Sequence, residues 1–226
     1  MSLKVRKEKE RVKRYIVIVS IAIIALSLAV YYARETGSYK NSRVWKFDSY
    51  ENGVIPEGFS TTDASWTIIK DESAYSKPNV IKHNKNEEGN SNNYVYSLLI
   101  NSEGVYTNFK ASVKVKVPNN DGSAGLAFRF IDSSHYFIAL LDVSSHKLSL
   151  CRAEPARLLC LQDANINIEN NEWHTLTVQA STQGIVCYID DKPLIKRYDQ
   201  HYINGMIGLW AKNDTIALFD DLEIYY

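Results

Sequence analysis

The strongest constraint on the fold is an alternation of apolar and polar residues with a period of two. It is clearest in NFKASVKVKV, Asn108–Val117, where Phe109, Ala111 and three valines fall on one face and three lysines and a serine on the other. Successive side chains of a β-strand point to opposite faces of the sheet. The stretch therefore predicts a strand with one buried and one solvated face, which is typical of an antiparallel sheet.

The same pattern recurs along most of the chain, between turn-forming stretches such as PNNDG and DDKP. No amphipathic helix of convincing length interrupts it, and many short strands of this kind favour a sandwich. We therefore expect an all-β, two-sheet antiparallel jelly-roll sandwich. The predicted strands are Val44–Asp48, Trp66–Lys70, Asn79–His83, Tyr94–Ile100, Asn108–Val117, Ala124–Ile131, Tyr136–Val143, Lys147–Cys151, Arg157–Leu161, Trp173–Ala180, Gly184–Ile189, Met206–Lys212 and Thr215–Tyr225.

The N-terminal part of the chain has a different composition. Residues 1–14 are strongly basic, and the following stretch, Tyr15–Ala33, contains no charged residue. As a helix it would be about 28 Å long, close to the roughly 30 Å thickness of the hydrocarbon core of a bilayer. With basic residues before it and tyrosines at both ends, it predicts one transmembrane signal-anchor helix with the N-terminus in the cytoplasm.

This assignment divides the chain into a basic cytoplasmic segment (1–14), the transmembrane helix (15–33), a linker (34–42) and an extracytoplasmic domain (43–226). The expected location is the cell membrane, with a single span. A cleaved signal peptide is the alternative, since Ser27–Ala29 has the small-x-small pattern of a cleavage site. Either way the domain would face the outside.

The cysteines fit an oxidising compartment. In CRAEPARLLC the turn-prone Glu154–Ala156 separates Cys151 from Cys160, so a hairpin would bring the two cysteines together in a disulfide bond. Cys187 has the parity of the neighbouring isoleucines in GIVCYID and is predicted to be a buried free thiol.

The chain carries 26 basic and 26 acidic residues. A net charge of zero argues against nucleic acid as a partner, since such partners normally require a basic surface.

Four stretches carry a resemblance to a known family. They are SAGLAFRFIDSSHYFIALLD, LSLCR, EWHTLTVQASTQGIVCYIDDKPL and GMIGLWAKNDTIALFDDLEI. Together they resemble the concanavalin A-like lectin/glucanase superfamily, nearest to its laminin-G-like and 3-keto-disaccharide-hydrolase-like domains. The resemblance covers about Trp45–Tyr226 and implies a jelly roll whose curved sheet offers a concave face.

The candidate ligand-binding residues lie on strands that the resemblance assigns to the concave face. Parity places Arg129 opposite Phe128 and Phe130, and pairing across the next turn would bring it near a histidine or a tyrosine. An aromatic ring and a guanidinium together suit sugar recognition. Alternatively, Arg129 pairs with an aspartate, lies over a tryptophan and only organises the sheet. The predicted ligand-binding set is Arg129, His135, Tyr136, Trp210 and Lys212.

No catalytic motif is present in the sequence. The E-x-D-x-x-E pattern of the superfamily's glucanases is missing, and the five histidines lack metal-ligand spacing. Asp220 shares its parity with apolar neighbours, so its carboxylate must be hydrogen-bonded or paired. Backbone N–H groups of a nearby loop are the simplest partners, while a calcium site and a catalytic acid are alternatives. No cofactor is expected beyond that calcium ion.

These features favour a membrane-anchored, outward-facing module without catalytic activity that binds glycans or a cell-surface protein. One alternative is a glycoside-active hydrolase of the 3-keto-disaccharide-hydrolase type. Another is an accessory subunit of a membrane complex.

Overall fold

The computed structural model describes residue 10 and residues 12–23, 39–85 and 96–226. The chain divides into two units, Met1–Lys40 and Asn41–Tyr226. Residues 12–23 of the first unit are helical. Among the described residues, no helix is both long enough and apolar enough to cross a bilayer. The predicted span Tyr15–Ala33 and the linker 34–42 lie partly outside the described residues, as does most of the segment 1–14.

The second unit is built of β-strands, and its described residues contain no α-helix. The strands are β1 (Ser42–Trp45), β2 (Phe59–Thr61), β3 (Trp66–Lys70), β4 (Asn79–His83), β5 (Tyr96–Tyr106), β6 (Phe109–Lys116), β7 (Ser123–Asp132), β8 (His135–Asp142), β9 (Lys147–Glu154), β10 (Arg157–Asn165), β11 (His174–Ser181), β12 (Gly184–Ile189), β13 (Lys192–Arg197), β14 (Gly205–Lys212) and β15 (Ala217–Tyr225).

The strands form two antiparallel sheets. The eight-stranded sheet has the order β13-β12-β11-β6-β15-β4-β3, with β1 paired to β15. The seven-stranded sheet has the order β10-β9-β8-β7-β14-β5-β2. The prediction of an all-β sandwich of two antiparallel sheets is confirmed.

The main core lies between the sheets. The alternating apolar face of β6 packs there, with Phe109, Val113 and Val115 each at most 1% exposed. Phe128 and Phe137 of the opposite sheet stack with ring centroids 5.5 Å apart, and Phe109 meets Phe128 edge to face. Burial of this apolar surface is the main force that holds the sheets together.

Two strands were missed by the sequence pattern. β2 has only three residues, too few to show a period. β13 contains Pro193, which made KPLIKR resemble the end of a turn, although β13 is an edge strand, where proline is tolerated. The first predicted strand, Val44–Asp48, ends earlier than expected, at Trp45, and Phe47 has a left-handed backbone with φ of 67°.

Candidate functional site

A second apolar cluster lies on the outer face of the seven-stranded sheet. Its buried members come only from strands of that sheet, and they include Leu98, Ala127, Ile138 and Trp210. Their neighbours along each strand point the other way, into the main core. This sheet is therefore apolar on both faces, whereas an antiparallel sheet with a fully solvated outer face would alternate apolar with polar residues.

A cavity of about 660 Å³ opens on this outer face. Its volume falls within the roughly 300–1,000 Å³ range of small-molecule sites. We call it the outer-face pocket. It is lined by Tyr96, Asp121, Ser123, Ser134, Leu140, Asp142, Ser144, Ala153, Glu154, Ala156, Arg157, Leu158, Trp210 and Lys212.

Strand register sets one polar edge of the pocket. Lys212 of β14 is opposite Tyr96 of β5, and Ser123 of β7 is opposite Asp142 of β8. Because Ala211 pairs with Ala124, the next positions, Lys212 and Ser123, are also level with each other. Four neighbouring strands thus present an aromatic ring, a cation, a hydroxyl and a carboxylate in one row.

Trp210 lies in the same strand as Lys212 and also lines the pocket. Its ring is 3% exposed and stacks on Tyr96, with centroids 5.6 Å apart and planes 25° apart. Its Nε1 is buried and has no hydrogen-bond partner within the described part of the chain. Because Trp210 is covered, Tyr96 is the aromatic surface that a ligand would meet, and Trp210 contributes an unused N–H donor.

Arg129 lies away from the pocket, which corrects the expectation from parity. It is 1% exposed, and its guanidinium donates to the main-chain carbonyls of Tyr202 and Ser181 at 2.9 and 3.0 Å. Burial lowers its pKa, and the charge of Asp199 partly opposes that shift. Arg129 fixes loops at one end of the sandwich and is not open to a ligand.

A β-bulge explains the difference. The register of β7 shifts between Phe128 and Asp132, and Arg129 has a left-handed φ of 49°. Against β14, strand β7 has one extra residue between Ala127 and Phe130, which breaks the alternation, so Phe130 joins the outer cluster although Phe128 belongs to the main core. Gly205 of the neighbouring strand permits this bulge, since a Cβ there would lie 2.3 Å from the Arg129 carbonyl carbon.

His135 and Tyr136 also differ from the expected arrangement. His135 lies at the β7–β8 turn, with Nδ1 2.7 Å from an Asp132 carboxylate oxygen. Tyr136 is on the outer face but fully buried, between Tyr96 and Phe130. Neither lines the pocket. Of the five predicted ligand-binding residues, the structure therefore brings Trp210 and Lys212 into the pocket.

Two pocket carboxyl groups have a lowered pKa. Burial acts to raise the pKa of Asp142, but hydrogen bonds from Ser144 and Ser145 outweigh it and bring that pKa below its usual value. Hydrogen bonds from Arg152 and Arg157 lower the pKa of Glu154. Both are ionised at neutral pH and so are poor candidates for the general acid that glycoside hydrolysis requires.

Asp220 is buried on β15 of the eight-stranded sheet, whereas the strands that line the pocket belong to the other sheet. Its carboxylate accepts hydrogen bonds from the Ser76 and Asp221 backbone N–H groups, both at 2.8 Å. Among the described residues, no group of three or more His, Cys, Asp or Glu side chains could hold a metal ion. The hydrogen-bonded arrangement accounts for this carboxylate without calcium.

The structure joins Cys151 and Cys160 in a disulfide bond between β9 and β10. The pair ties edge strand β10, whose Arg157 and Leu158 form one wall of the pocket, to the rest of the sheet. Cys187 is a fully buried free cysteine, and burial raises its pKa to about 12. It stays protonated and is not a nucleophile.

Solved structures with a similar fold include a carbohydrate-binding module and several glycoside hydrolases. The carbohydrate-binding module CBM66 from Bacillus subtilis aligns with a TM-score of 0.62 and 17% identity over 75% of this chain and 96% of that one. A family 16 endo-glucanase from Bacteroides ovatus aligns with a TM-score of 0.56 and 9% identity over 80% and 99%. These likenesses are consistent with a concanavalin A-like fold.

A xylan β-1,4-xylosidase from Bacillus halodurans C-125 is also similar, with a TM-score of 0.60 and 13% identity over 83% of this chain but 40% of the enzyme. No protein-family model matches the sequence, and no curated protein matches it. At these identities the comparisons establish the fold alone, and the function has to be argued from the site.

Sequence reasoning missed Tyr96, Asp142 and the Glu154–Arg157 wall as parts of one site. Parity did place Asp142 on the face of Tyr136 and Leu140, but the strand order that aligns it with Lys212 was not visible. Tyr96 lies at the start of a strand, after a long polar stretch. Nothing in its immediate sequence marks it as a residue of the pocket.

Proposed function

We propose that this chain is a non-catalytic glycan-binding module, and that the outer-face pocket is its binding site. The observation that carries the proposal is the pocket itself, where a partly buried aromatic ring, Tyr96, lies in one row with Lys212, Ser123 and Asp142. A sugar presents a C–H face that stacks on an aromatic ring and hydroxyls that both donate and accept hydrogen bonds. The row supplies all three kinds of partner.

The unused Trp210 Nε1 supports the same reading. An N–H group buried without a partner costs roughly 1–3 kcal/mol. A ligand oxygen that accepts from it would recover that cost. The structural likeness to a carbohydrate-binding module gives additional support, because that protein has the same fold and nearly its whole length aligns.

A glycoside hydrolase is the second candidate, since the neighbours include enzymes of that class. Hydrolysis needs one carboxyl group that holds its proton and one that does not. Asp142 and Glu154 both have lowered pKa values, and the one described carboxyl with a markedly raised pKa, Asp220, is on the other sheet. The binding role is therefore favoured over catalysis.

The N-terminal segment gives the proposed setting. The uncharged stretch Tyr15–Ala33 behind a basic segment supports a membrane anchor that holds the domain outside the cell. A cell-surface protein, or a neighbouring subunit of a membrane complex, would be the partner if the pocket does not take a glycan.

The test is a glycan-array screen of the full chain, kept in detergent, once with calcium and once with a chelator. We expect specific binding in both conditions. Tyr96→Ala should weaken it at least tenfold by removing the aromatic surface. Trp210→Phe keeps a ring but removes the N–H donor, and should weaken binding several-fold, as expected for one hydrogen bond.

Tyr75→Ala is the matched control. Tyr75 is a 53% exposed tyrosine near the eight-stranded sheet, so its loss should not alter glycan binding. An array without signal in both conditions would count against glycan binding and favour a protein partner. Turnover of any bound glycoside would instead support the hydrolase.

A further inference from the structure

The charge of the outer-face pocket narrows the class of glycan. Five charged side chains line it, with three carboxylates (Asp121, Asp142 and Glu154) and two cations (Arg157 and Lys212). What a ligand experiences depends on which of these charges are already neutralised by the protein. The ion pairs of the pocket therefore decide its selectivity.

Both cations are already paired with carboxylates. The Lys212 ammonium lies 2.8 Å from an Asp214 carboxylate oxygen. The Arg157 guanidinium forms an ion pair with the Glu154 carboxylate. The Arg152 guanidinium lies 2.6 Å from the other oxygen of the same carboxylate. A further anion in the pocket would have to compete with these carboxylates for the cations.

Two of the carboxylates have no such partner. Within the described part of the chain, neither Asp121 nor Asp142 forms an ion pair. Asp142 instead accepts hydrogen bonds from the Ser144 hydroxyl at 2.7 Å and the Ser145 backbone N–H at 3.1 Å. These neutral donors hold it ionised without cancelling its charge, so the charge left over in the pocket is negative.

The spacing of the row fits one sugar unit. Lys212 and Asp142 are on strands two apart, with Ser123 between them, so their backbones are separated by about 10 Å. A separation of about 10 Å between the two backbones leaves room for one sugar ring between the two side chains. Lysine protons not used by Asp214 can donate to one hydroxyl, while Asp142 accepts from another.

Resting on the glycan-binding role, we propose that the pocket takes an uncharged, hydroxyl-rich sugar and rejects sugars that carry a carboxylate or sulfate. Asp142 is the residue that sets this selectivity. A hydroxyl donates to its carboxylate, whereas an anionic group in the same place is repelled. Asp121 adds to the repulsion from the rim of the pocket.

The test compares pairs of glycans that differ only in charge, such as a neutral hexoside, its uronic acid and its sulfated form, on the full chain in detergent. We expect the neutral member to bind at least tenfold more tightly. Its affinity should change little between 50 and 500 mM salt, because an uncharged ligand is not screened.

Asp142→Asn should reduce the preference for the neutral member several-fold by removing the repulsion. Asp163→Asn is the matched control, since Asp163 is exposed on β10 of the same sheet and does not line the pocket. It should leave the preference unchanged.

Three other results are possible, and each would contradict a different part of the proposal. Tighter binding of an acidic glycan would overturn the selectivity and leave the glycan-binding role standing. An unchanged preference in Asp142→Asn would remove Asp142 as its determinant. Failure to bind any glycan would overturn the proposed function, and this inference with it.

Discussion

The outer faces of the two sheets differ in how they are covered. On the eight-stranded sheet the chain covers part of the face with its own loop, residues 71–78, which we call the strap. On the seven-stranded sheet the outer-face pocket remains open, and a buried Trp210 N–H beside it is unused. The comparison separates polar groups that hold the fold from polar groups that are available to a ligand.

Hydrogen bonds and apolar contacts hold the strap against the eight-stranded sheet. Ser76 bonds to Asp220 through its N–H and to Asp221 through its hydroxyl, both at 2.8 Å. The Trp173 indole donates to the Ser73 carbonyl. Under the strap, Ala74 packs on Val80 and Leu218 in a small apolar cluster. These contacts leave this face with a structural role.

If this division is right, changes in the covered regions should alter stability, and changes in the pocket should alter binding. The largest effect on stability is expected at Arg129, which is covered by loops at one end of the sandwich. Arg129→Met would leave the main-chain carbonyls of Ser181 and Tyr202 without their donor, at a cost of about 1–3 kcal/mol for each. The midpoint of urea unfolding measures this.

Lys212→Met is the contrasting change. The Lys212 side chain is 44% exposed and its ion pair is on the surface, so the same substitution should cost under about 1 kcal/mol. Arg129→Lys keeps the charge but not the planar set of donors, and should fall between the two. Equal midpoints for Arg129→Met and Lys212→Met would show that Arg129 is not a structural residue.

The next effect concerns pH and the strap. Burial raises the pKa of Asp220 to about 6, and the nearby charge of Asp221 contributes. Between about pH 4 and pH 6 the folded protein therefore binds a proton that the unfolded chain has released, so the free energy of unfolding decreases as the pH rises. The total change attributable to Asp220 is up to roughly 3 kcal/mol.

Asp220→Asn cannot ionise and should flatten this slope, while Asp163→Asn, on the exposed edge strand, should retain it. Asp221→Asn removes a neighbouring negative charge and should shift the slope to lower pH. Unfolding measured at a series of pH values distinguishes these results. A slope that persists in Asp220→Asn would assign it to another group.

Residues of the strap region and of the outer-face pocket show how much of the structure could be predicted from the sequence. The positions of strands such as β6 and β12 followed from the period of two, because burial on one face imposes that period on them. Arg129 and Asp220 both lie at bulges, Ala127–Phe130 and Asp220–Glu223, where one extra residue reverses the alternation. Parity cannot reveal such a reversal.

The pocket was predicted only in part for another reason. Trp210 and Lys212 belong to one strand, and their common face could be read from the sequence. Asp142, Tyr96 and Arg157 join them only through the order β10-β9-β8-β7-β14-β5. That order depends on pairing between residues distant in sequence, which local patterns do not record.

The last prediction on stability links the fold to the pocket. The Cys151–Cys160 disulfide closes a short loop, for which the chain-entropy model gives a stabilisation of about 2–3 kcal/mol. Changing both cysteines to alanine should lower the free energy of unfolding by about this amount. It should also weaken glycan binding, because strand β10 supplies Arg157 and Leu158 to the pocket wall.

A reducing agent should have the same effect on the wild type and none on the double variant, since the remaining cysteine, Cys187, is buried and unpaired. Comparing the loss of stability with the loss of glycan affinity shows whether the disulfide also positions the pocket wall. Lower stability with unchanged affinity would mean that β10 keeps its place without the crosslink, and that the ion pairs from Glu154 to Arg152 and Arg157 are sufficient to hold the wall. Loss of both would mean that the wall of the open face, unlike the strap, depends on a covalent bond.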